Sequence, residues 1–297
     1  MNRLLARRST SGRAQATWDA YDIDRRYGEY AEFCQAAFVR PVLPAPDLEL
    51  EREGFRFLCA LDRDIAFELK QTLLQSGPSE LLKKDSPHLK GFRVTDRLWI
   101  EGLLEGVFGA TVDSSLVSFF RSEYLVHWIA LAVTRPEDKQ RSVSFRWHCD
   151  KGPSSHLKLI LYLNATSTHG GNTEFLNLAD SNAVAKQGYL FGWSRLRTND
   201  TRELSRLARR SLSPQRQQLE PGDAVLFQPA RVLHRGVTPT QGDRLTATLC
   251  LLPSPVNWRQ ALRCGTMSDL ASDEKWHDDA FTLQRTIAAH FPVLRRP

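Results

Sequence analysis

Two hydrophobic periodicities divide the chain. In its first third, DRDIAFELKQTLLQSG (62–77) and TDRLWIEGLLEGVFG (95–109) carry apolar residues at three-to-four spacing, which is typical of amphipathic helices. A glycine ends the first segment, and Thr95 is a suitable N-cap for the second. Prolines 41, 44 and 46 interrupt the chain between helices. We therefore expect a helical N-terminal flank over residues 16–112.

The pattern changes near residue 113, where short runs rich in β-branched and aromatic residues begin. The runs are SSLVSFF, EYLVHWIALAVT, SVSFRWHCD, HLKLILYLN, GNTEFL, AVLFQ and RLTATLCLL. Turn-forming segments such as RPEDKQR, THGG and TPTQGD separate them, which predicts a β-sandwich or barrel. We expect one β-core over residues 113–255 with an Arg-rich insert at about 178–218, followed by a helical C-terminal flank over 256–297.

The composition is that of a soluble globular protein. The 297 residues are 41% hydrophobic and 25% charged, and the longest apolar run, LVHWIALAV, is too short to span a membrane. The five cysteines form no CxxC motif, which favours reduced thiols and a cytoplasmic location. Residues 1–15 carry four arginines and no acid, so we expect a disordered basic tail; their composition also resembles a transit peptide.

The stretch SFRWHCDKG, residues 144–152, carries the candidate chemistry. On a strand, His148 and Asp150 would point to the same face and could hold one metal ion together. His234 follows a later predicted strand and is the candidate third ligand. Two histidines and one carboxylate form the facial triad of non-haem Fe(II) oxygenases, which leaves three coordination positions open. Arg244, on the next strand, could grip the distal carboxylate of 2-oxoglutarate, since burying it alone would be costly.

Residues 142–252 resemble the core of the Fe(II)/2-oxoglutarate-dependent dioxygenases, and most closely the prolyl-4-hydroxylase type. HCDKGPSSHLKLILYLNATSTHGGNTEFL resembles the family's His-x-Asp segment, its YLN strand and its Gly-Gly turn. LEPGDAVLFQPARVLHRGVTPTQGDRLTATL resembles its distal histidine and following arginine. The resemblance implies a double-stranded β-helix, or distorted jelly roll, with helices outside. It also implies Fe(II) on His148, Asp150 and His234, 2-oxoglutarate on Arg244, and O2 as oxidant.

Three further positions follow from the resemblance and the strand period. Tyr162 matches a tyrosine that often assists the same carboxylate. Lys158 lies four residues earlier and shares its face, so it is a candidate second cation for the cosubstrate. Its alternative is a solvated lysine at a strand end. Thr246 shares the face of Arg244 and is a candidate donor to that carboxylate.

Other polar residues have simpler interpretations. His277 and Asp279 repeat the His-x-Asp spacing, but in a polar helical stretch, where their side chains would diverge. Cys149 should point away from the metal as a small buried residue. His148 and Asp150 could by themselves be a structural pair, and only the order of the later motifs favours a metal site.

The substrate is the least determined part of the prediction. We expect hydroxylation of a small molecule, because the Arg-rich insert could close over a pocket. Arg202, Arg206 and Arg209 or Arg210 would share a helix face that could bind an anionic group, or would simply be solvated. No aromatic residues alternate with these arginines, and the net charge of +6 therefore gives little support to nucleic-acid binding. The alternatives are a protein, peptide or carrier-bound substrate, a cupin-like metalloenzyme without 2-oxoglutarate, and a non-catalytic basic binding module.

Overall fold

The computed structural model describes residues 22–75, 89–92, 97–136, 143–150, 152–189, 197–267 and 280–294. The helices are α1 (Asp22–Ala36), α2 (Leu48–Glu53), α3 (Arg63–Gln75), α4 (Arg97–Val107), α5 (Ala110–Phe120), α6 (Thr166–His169), α7 (Leu178–Lys186), α8 (Thr201–Ala208), α9 (Trp258–Arg263) and α10 (Phe281–Ala288). Short 3-10 turns occupy Val143–Phe145 and Pro292–Leu294.

Eight strands form two antiparallel sheets. The strands are β1 (Phe55–Cys59), β2 (Leu89–Phe92), β3 (Glu123–Thr134), β4 (Leu157–Tyr162), β5 (Asn172–Phe175), β6 (Asp223–Phe227), β7 (His234–Val237) and β8 (Arg244–Ser254). The major sheet has the order β1-β6-β4-β8-β3-β2, and the minor sheet pairs β5 with β7. Single bridges add the segment at His148 beside β7 and the segment at Gln215 beside β5.

This strand order is that of a jelly roll. From β3 onward the chain enters the major sheet, crosses to the minor sheet at His148, and returns to the major sheet in β4. It enters the minor sheet again in β5, and then alternates through β6, β7 and β8. Successive strands therefore alternate between the major and the minor sheet. This is the arrangement of two Greek keys that is found in double-stranded β-helices. The predicted fold is confirmed, with helices outside and the two sheets not closed into a barrel.

The two faces of the major sheet have different partners. Leu157, Leu159 and Leu161 on β4 share one large apolar cluster with helix residues such as Leu104 and Leu116. Each fully buried leucine contributes about 1.5–3 kcal/mol relative to an exposed one, so this cluster fixes the outer face against the helices. The alternate residues of β4 must then face the space between the sheets.

The helical flank is less uniform than its pattern predicts. Segments β1 and β2 lie within residues 16–112, and each extends one edge of the major sheet. Among the described residues no single helix is long and apolar enough to cross a membrane. The bent pair Trp99–Val107 and Ala110–Phe120, which meets at 82°, passes that test on length and composition alone.

Two of the runs that were predicted as strands do not form strands in the structure. SSLVSFF lies in α5, because Val112, Leu116, Val117 and Phe120 are buried at helical spacing and their β-branched character is outweighed by packing. SVSFRWHCD contains only a 3-10 turn and the single bridge at His148. His148 and Asp150, the two metal-ligand candidates in this run, therefore lie in an irregular segment and not on the predicted strand.

Candidate metal centre

Three side chains converge between the sheets. Nε2 of His148 lies 3.4 Å from Oδ1 of Asp150, and Nε2 of His234 lies 3.6 Å from Oδ2. The ligand atoms of the three residues all lie within 4.8 Å of one another, a spacing that one metal ion could bridge. His148 and His234 also exchange backbone hydrogen bonds of 3.0 and 2.9 Å, which set their rings side by side with centroids 4.3 Å apart.

Each of the two histidine rings turns its Nε2 atom toward the position where the three side chains converge. Nδ1 of His148 is 2.7 Å from the carbonyl oxygen of Arg146, and Nδ1 of His234 is 2.9 Å from that of Val232. A carbonyl oxygen can only accept, so both Nδ1 atoms donate to the backbone and both Nε2 atoms face the point where the three side chains converge. Burial, and then the neighbouring His234, lowers the pKa of His148 to about 4, so that this ring is neutral at pH 7.

Asp150 is ionised and held by a buried lysine. Nζ of Lys158 lies 2.8 Å from Oδ2 of Asp150 and 4.9 Å from the ring centroid of Trp128. Burial raises the pKa of Asp150, but the charge of Lys158 and then the neighbouring His234 lower it well below its usual range. Lys158 therefore lies at the metal end of the cavity. Its predicted contact with a cosubstrate stays a prediction.

Arg244 lies at the other end with its charge uncompensated. It is 8% exposed, donates to the carbonyl oxygen of Asn172 at 2.7 Å and to Oγ1 of Thr173 at 3.3 Å, and its guanidinium carbon lies 5.3 Å from the ring centroid of Tyr162. Its Nε has no hydrogen-bond partner, and no carboxylate in the described parts of the chain forms an ion pair with it. A buried guanidinium without a counter-ion is costly, so the chemistry of this end would favour an anion.

The neighbours of Arg244 are polar and close. The hydroxyl group of Tyr162 lies 3.2 Å from Oγ1 of Thr173 and 3.4 Å from Oδ1 of Asn172. Thr246 is the direct cross-strand partner of Tyr162 and lies two residues after Arg244 on β8. The sequence did not single out Asn172 or Thr173, and their only signal is a pair of small polar residues just after the Gly-Gly turn.

An opening lies between the two ends. Ile160, Thr248 and Ala130 are direct partners across β4, β8 and β3, and all three are partly exposed although the residues beside them on their strands are buried. We call these three residues the open row. Ala132, two residues farther along β3, is also partly exposed. Sequence reasoning missed these positions, although the alternation of small residues in IALAV was the available signal.

The open row separates the two polar ends. On one side is the pair Tyr162 and Thr246, which flanks Arg244, and on the other is the pair Lys158 and Cys250, which flanks Asp150. Two residues along a strand correspond to about 7 Å, so the flanking pairs are about 13 Å apart before their long side chains reach inward.

Aromatic rings seal the site behind His234. Its ring lies 4.9 Å from that of Phe227 in an edge arrangement and 6.2 Å from that of Phe175 in a stacked one. Phe175 in turn stacks on Phe55 at 4.8 Å. These contacts keep water away from the back of the histidine and fix its orientation.

Several minor predictions can be compared with the structure. Cys149 is buried among Trp147, Leu176 and Leu233, as predicted, and burial raises the pKa of its thiol. Gly170 adopts φ of +70° and closes the turn before β5, whereas Gly171 is not among the residues with positive φ. His277 and Asp279 lie outside the described residues.

The Arg-rich insert packs against the irregular segment that carries His148 and Asp150. Leu204 of α8 is buried in the same cluster as Trp147, and the carbonyl oxygen of Thr198 accepts a hydrogen bond from the backbone N–H of Trp147 at 2.8 Å. Arg202 and Arg206 of the predicted cationic face are exposed. Their exposure favours the solvated interpretation of this face.

Comparison with known proteins gives matches to solved structures only. No protein-family model matches the chain. A search of curated proteins also found no match. The solved structures include apo EctD from S. alaskensis (17% identity, 72% of this chain and 79% of that chain, TM-score 0.49) and the non-haem α-ketoglutarate-dependent epimerase SnoN from nogalamycin biosynthesis (15%, 76% and 81%, 0.45). They also include HygX from Streptomyces hygroscopicus with nickel, 2-oxoglutarate and hygromycin B bound (14%, 71% and 87%, 0.45).

By its own strand order and side chains, the protein is a double-stranded β-helix. Its interior holds a His-Asp-His group at one end and a buried arginine at the other. Both this fold and the convergence of His148, Asp150 and His234 are what the sequence resemblance led us to expect.

Proposed function

We propose that the protein is a non-haem Fe(II)- and 2-oxoglutarate-dependent oxygenase that hydroxylates an unactivated C–H group of a small molecule. The observation that carries the proposal is a pair of features in one cavity. One is the His-Asp-His group with its Nε2 atoms turned toward each other, and the other is the buried guanidinium of Arg244, which has no counter-ion among the described residues. Two imidazoles and one carboxylate suit a borderline divalent metal and leave three positions for other ligands.

The residues have distinct tasks in this proposal. His148, Asp150 and His234 would hold Fe(II). Arg244 would bind the distal carboxylate of 2-oxoglutarate, since a planar guanidinium forms two parallel hydrogen bonds to a carboxylate. Tyr162 and Thr246 flank it as donors. Fe(II) held by these residues would supply the O2-dependent chemistry that couples conversion of 2-oxoglutarate to succinate and CO2 with hydroxylation of the substrate.

The open row lies between the groups to which the proposal assigns the two ends of the cosubstrate. Ala130 and Thr248 are small, so they leave room beside β3 and β8. A bulky residue in the row would fill the space that the proposal assigns to the cosubstrate chain.

A small, anionic substrate is the further part of the proposal. The positive charge of Arg197 is among the causes that lower the pKa of His148, and the next residue, Thr198, bonds to Trp147 just before the metal ligands. A cation at this position favours a substrate with an acidic group. Most of the other arginines in the insert face solvent and have no such position.

An anaerobic titration tests the proposal. Fe(II) and 2-oxoglutarate are added to the apo protein while visible absorption is recorded, with His234→Ala and Arg244→Ala alongside. Arg259→Ala is the matched control, because Arg259 is an exposed arginine paired with Glu105. We expect a metal-to-ligand charge-transfer band that needs both additions, is lost in the first two variants and is unchanged in the control.

Two results would replace the proposal. If iron binds without a charge-transfer band, and if Arg244→Ala leaves this iron binding unchanged, the result would favour a cupin-like metalloenzyme that does not use 2-oxoglutarate. Absence of metal binding, with salt-sensitive nucleic-acid binding that survives His148→Ala, would favour a non-catalytic basic module.

A further inference from the structure

Lys158 is a charged residue inside an apolar layer. On β4 it is paired with Phe227 of β6 on one side and Cys250 of β8 on the other, and both of these residues are buried. Its own side chain is only 8% exposed. A buried ammonium is retained only where a partner compensates for its lost hydration, and here the nearest acid is Asp150.

The two oxygens of Asp150 have different surroundings. Oδ1 lies 3.4 Å from Nε2 of His148, while Oδ2 lies 2.8 Å from the ammonium of Lys158 and 3.6 Å from Nε2 of His234. The nearest polar neighbour of Oδ2 is therefore the ammonium. A charge-assisted hydrogen bond of this length is strong and directional.

We infer that Lys158 is a positioning residue that occupies Oδ2 of Asp150, so that the carboxylate offers a divalent metal one oxygen and not two. The inference rests on the metal site of the proposed function. A carboxylate that bound through both oxygens would take one of the three positions left by the triad. Lys158 would thereby keep that position free for cosubstrate or O2, a different role from binding the cosubstrate itself.

Mn(II) allows this to be measured without turnover. Water bound to Mn(II) accelerates proton relaxation of the bulk solvent in proportion to the number of bound waters. Relaxivity of the Mn(II)-loaded protein, without 2-oxoglutarate, is compared for the wild type, Lys158→Met and Lys158→Arg. Lys186→Met is the control, because Lys186 is an exposed lysine at the end of α7 and its loss changes the net charge equally.

We expect Lys158→Met to lower the relaxivity per bound Mn(II) by about one third, since two open positions would remain in place of three. Lys158→Arg, which keeps a charged donor, should restore most of the wild-type value, and Lys186→Met should leave it unchanged. Equal relaxivity in wild type and Lys158→Met, at equal Mn(II) occupancy, would overturn the inference.

Failure of the underlying metal site gives a different result. In that case the wild type itself would not bind Mn(II). Lys158→Met leaves Asp150 without its counter-ion and could fold poorly, so far-UV circular dichroism is recorded for each variant. If Lys158→Met does not fold, Lys158→Gln serves as the second variant, because it keeps a neutral donor. Its loss of relaxivity is expected to lie between that of Lys158→Arg and that of Lys158→Met.

Discussion

Replacing Arg244 by methionine separates a ligand-binding arginine from a structural one. Without ligand, the variant loses two hydrogen bonds, to the carbonyl oxygen of Asn172 at 2.7 Å and to Oγ1 of Thr173 at 3.3 Å. Such bonds from a charged donor contribute about 1.5–3 kcal/mol each, and the longer one lies at the low end. Methionine also removes an uncompensated buried charge, and an apolar replacement of buried ions is often neutral or stabilising by about 1–4 kcal/mol. With mid-range values for both effects, the two largely cancel, and the free energy of unfolding should fall by about 1 kcal/mol.

The same change should abolish the response to 2-oxoglutarate. Removing one partner of a buried carboxylate–guanidinium pair costs about 3–5 kcal/mol, which corresponds to a Kd raised about 100- to 5000-fold. With 2-oxoglutarate at 100 times the wild-type Kd, the Mn(II)-loaded wild type should gain about 2.7 kcal/mol of stability. The variant should gain almost none.

Chemical denaturation of the Mn(II)-loaded proteins, with and without 2-oxoglutarate, measures both quantities. A loss of more than about 3 kcal/mol in the unliganded variant would refute the reasoning, because the charge of Arg244 would then already be satisfied within the protein. Equal stabilisation of both proteins by 2-oxoglutarate would refute it as well.

Three further predictions concern the metal ligands, a turn and the open row. His148→Ala should weaken Mn(II) binding by at least about 100-fold, measured by equilibrium dialysis, since it removes a ligand and not merely an outer hydrogen bond. Gly222→Ala should cost about 3 kcal/mol or more in urea denaturation and Gly242→Ala only about 1 kcal/mol: both glycines have positive φ, but only at Gly222 would a Cβ lie 2.2 Å from a backbone oxygen, that of Leu61. Ala130→Leu should retain Mn(II) binding and lose stabilisation by 2-oxoglutarate, because the added atoms fill the open row.

Each of these has an outcome that would contradict it. Near-wild-type Mn(II) affinity in His148→Ala would remove this ring from the metal site. Equal losses at the two glycines would mean that backbone conformation, and not the contact with Leu61, sets the cost. A normal response to 2-oxoglutarate in Ala130→Leu would place the cosubstrate away from β3.

The sequence was most informative where side-chain chemistry and strand period agreed. EYLVHWIALAVT and RLTATLCLL were predicted as strands and lie in β3 and β8, because they are nearly continuous apolar runs rich in β-branched or aromatic residues, as suits strands buried on both faces. His148, Asp150 and His234 were selected by residue type and order. Their convergence is confirmed, although no local pattern specifies that His148 and His234 face each other across a bridge.

Local pattern failed where long-range packing decided the structure. SSLVSFF is composed of residues favoured in strands, yet it lies in α5, because burial of one helical face outweighs its intrinsic preference. The strands β1 and β2 are short, and only the free edges of the major sheet give them partners. Neither edge can be seen in a single segment of sequence.

The sequence by itself determined which residues could bind a metal and a carboxylate, since ligand chemistry depends on residue type. Tertiary structure alone decided which of these residues lie together and which lie apart. It placed Lys158 on Asp150, left Arg244 without an acidic partner among the described residues, and opened the space between them. The physical reason is that hydrogen-bond partners and cavities arise from the register of β4, β8 and β3, which are far apart in sequence and are aligned only by burial of their outer faces against the helices.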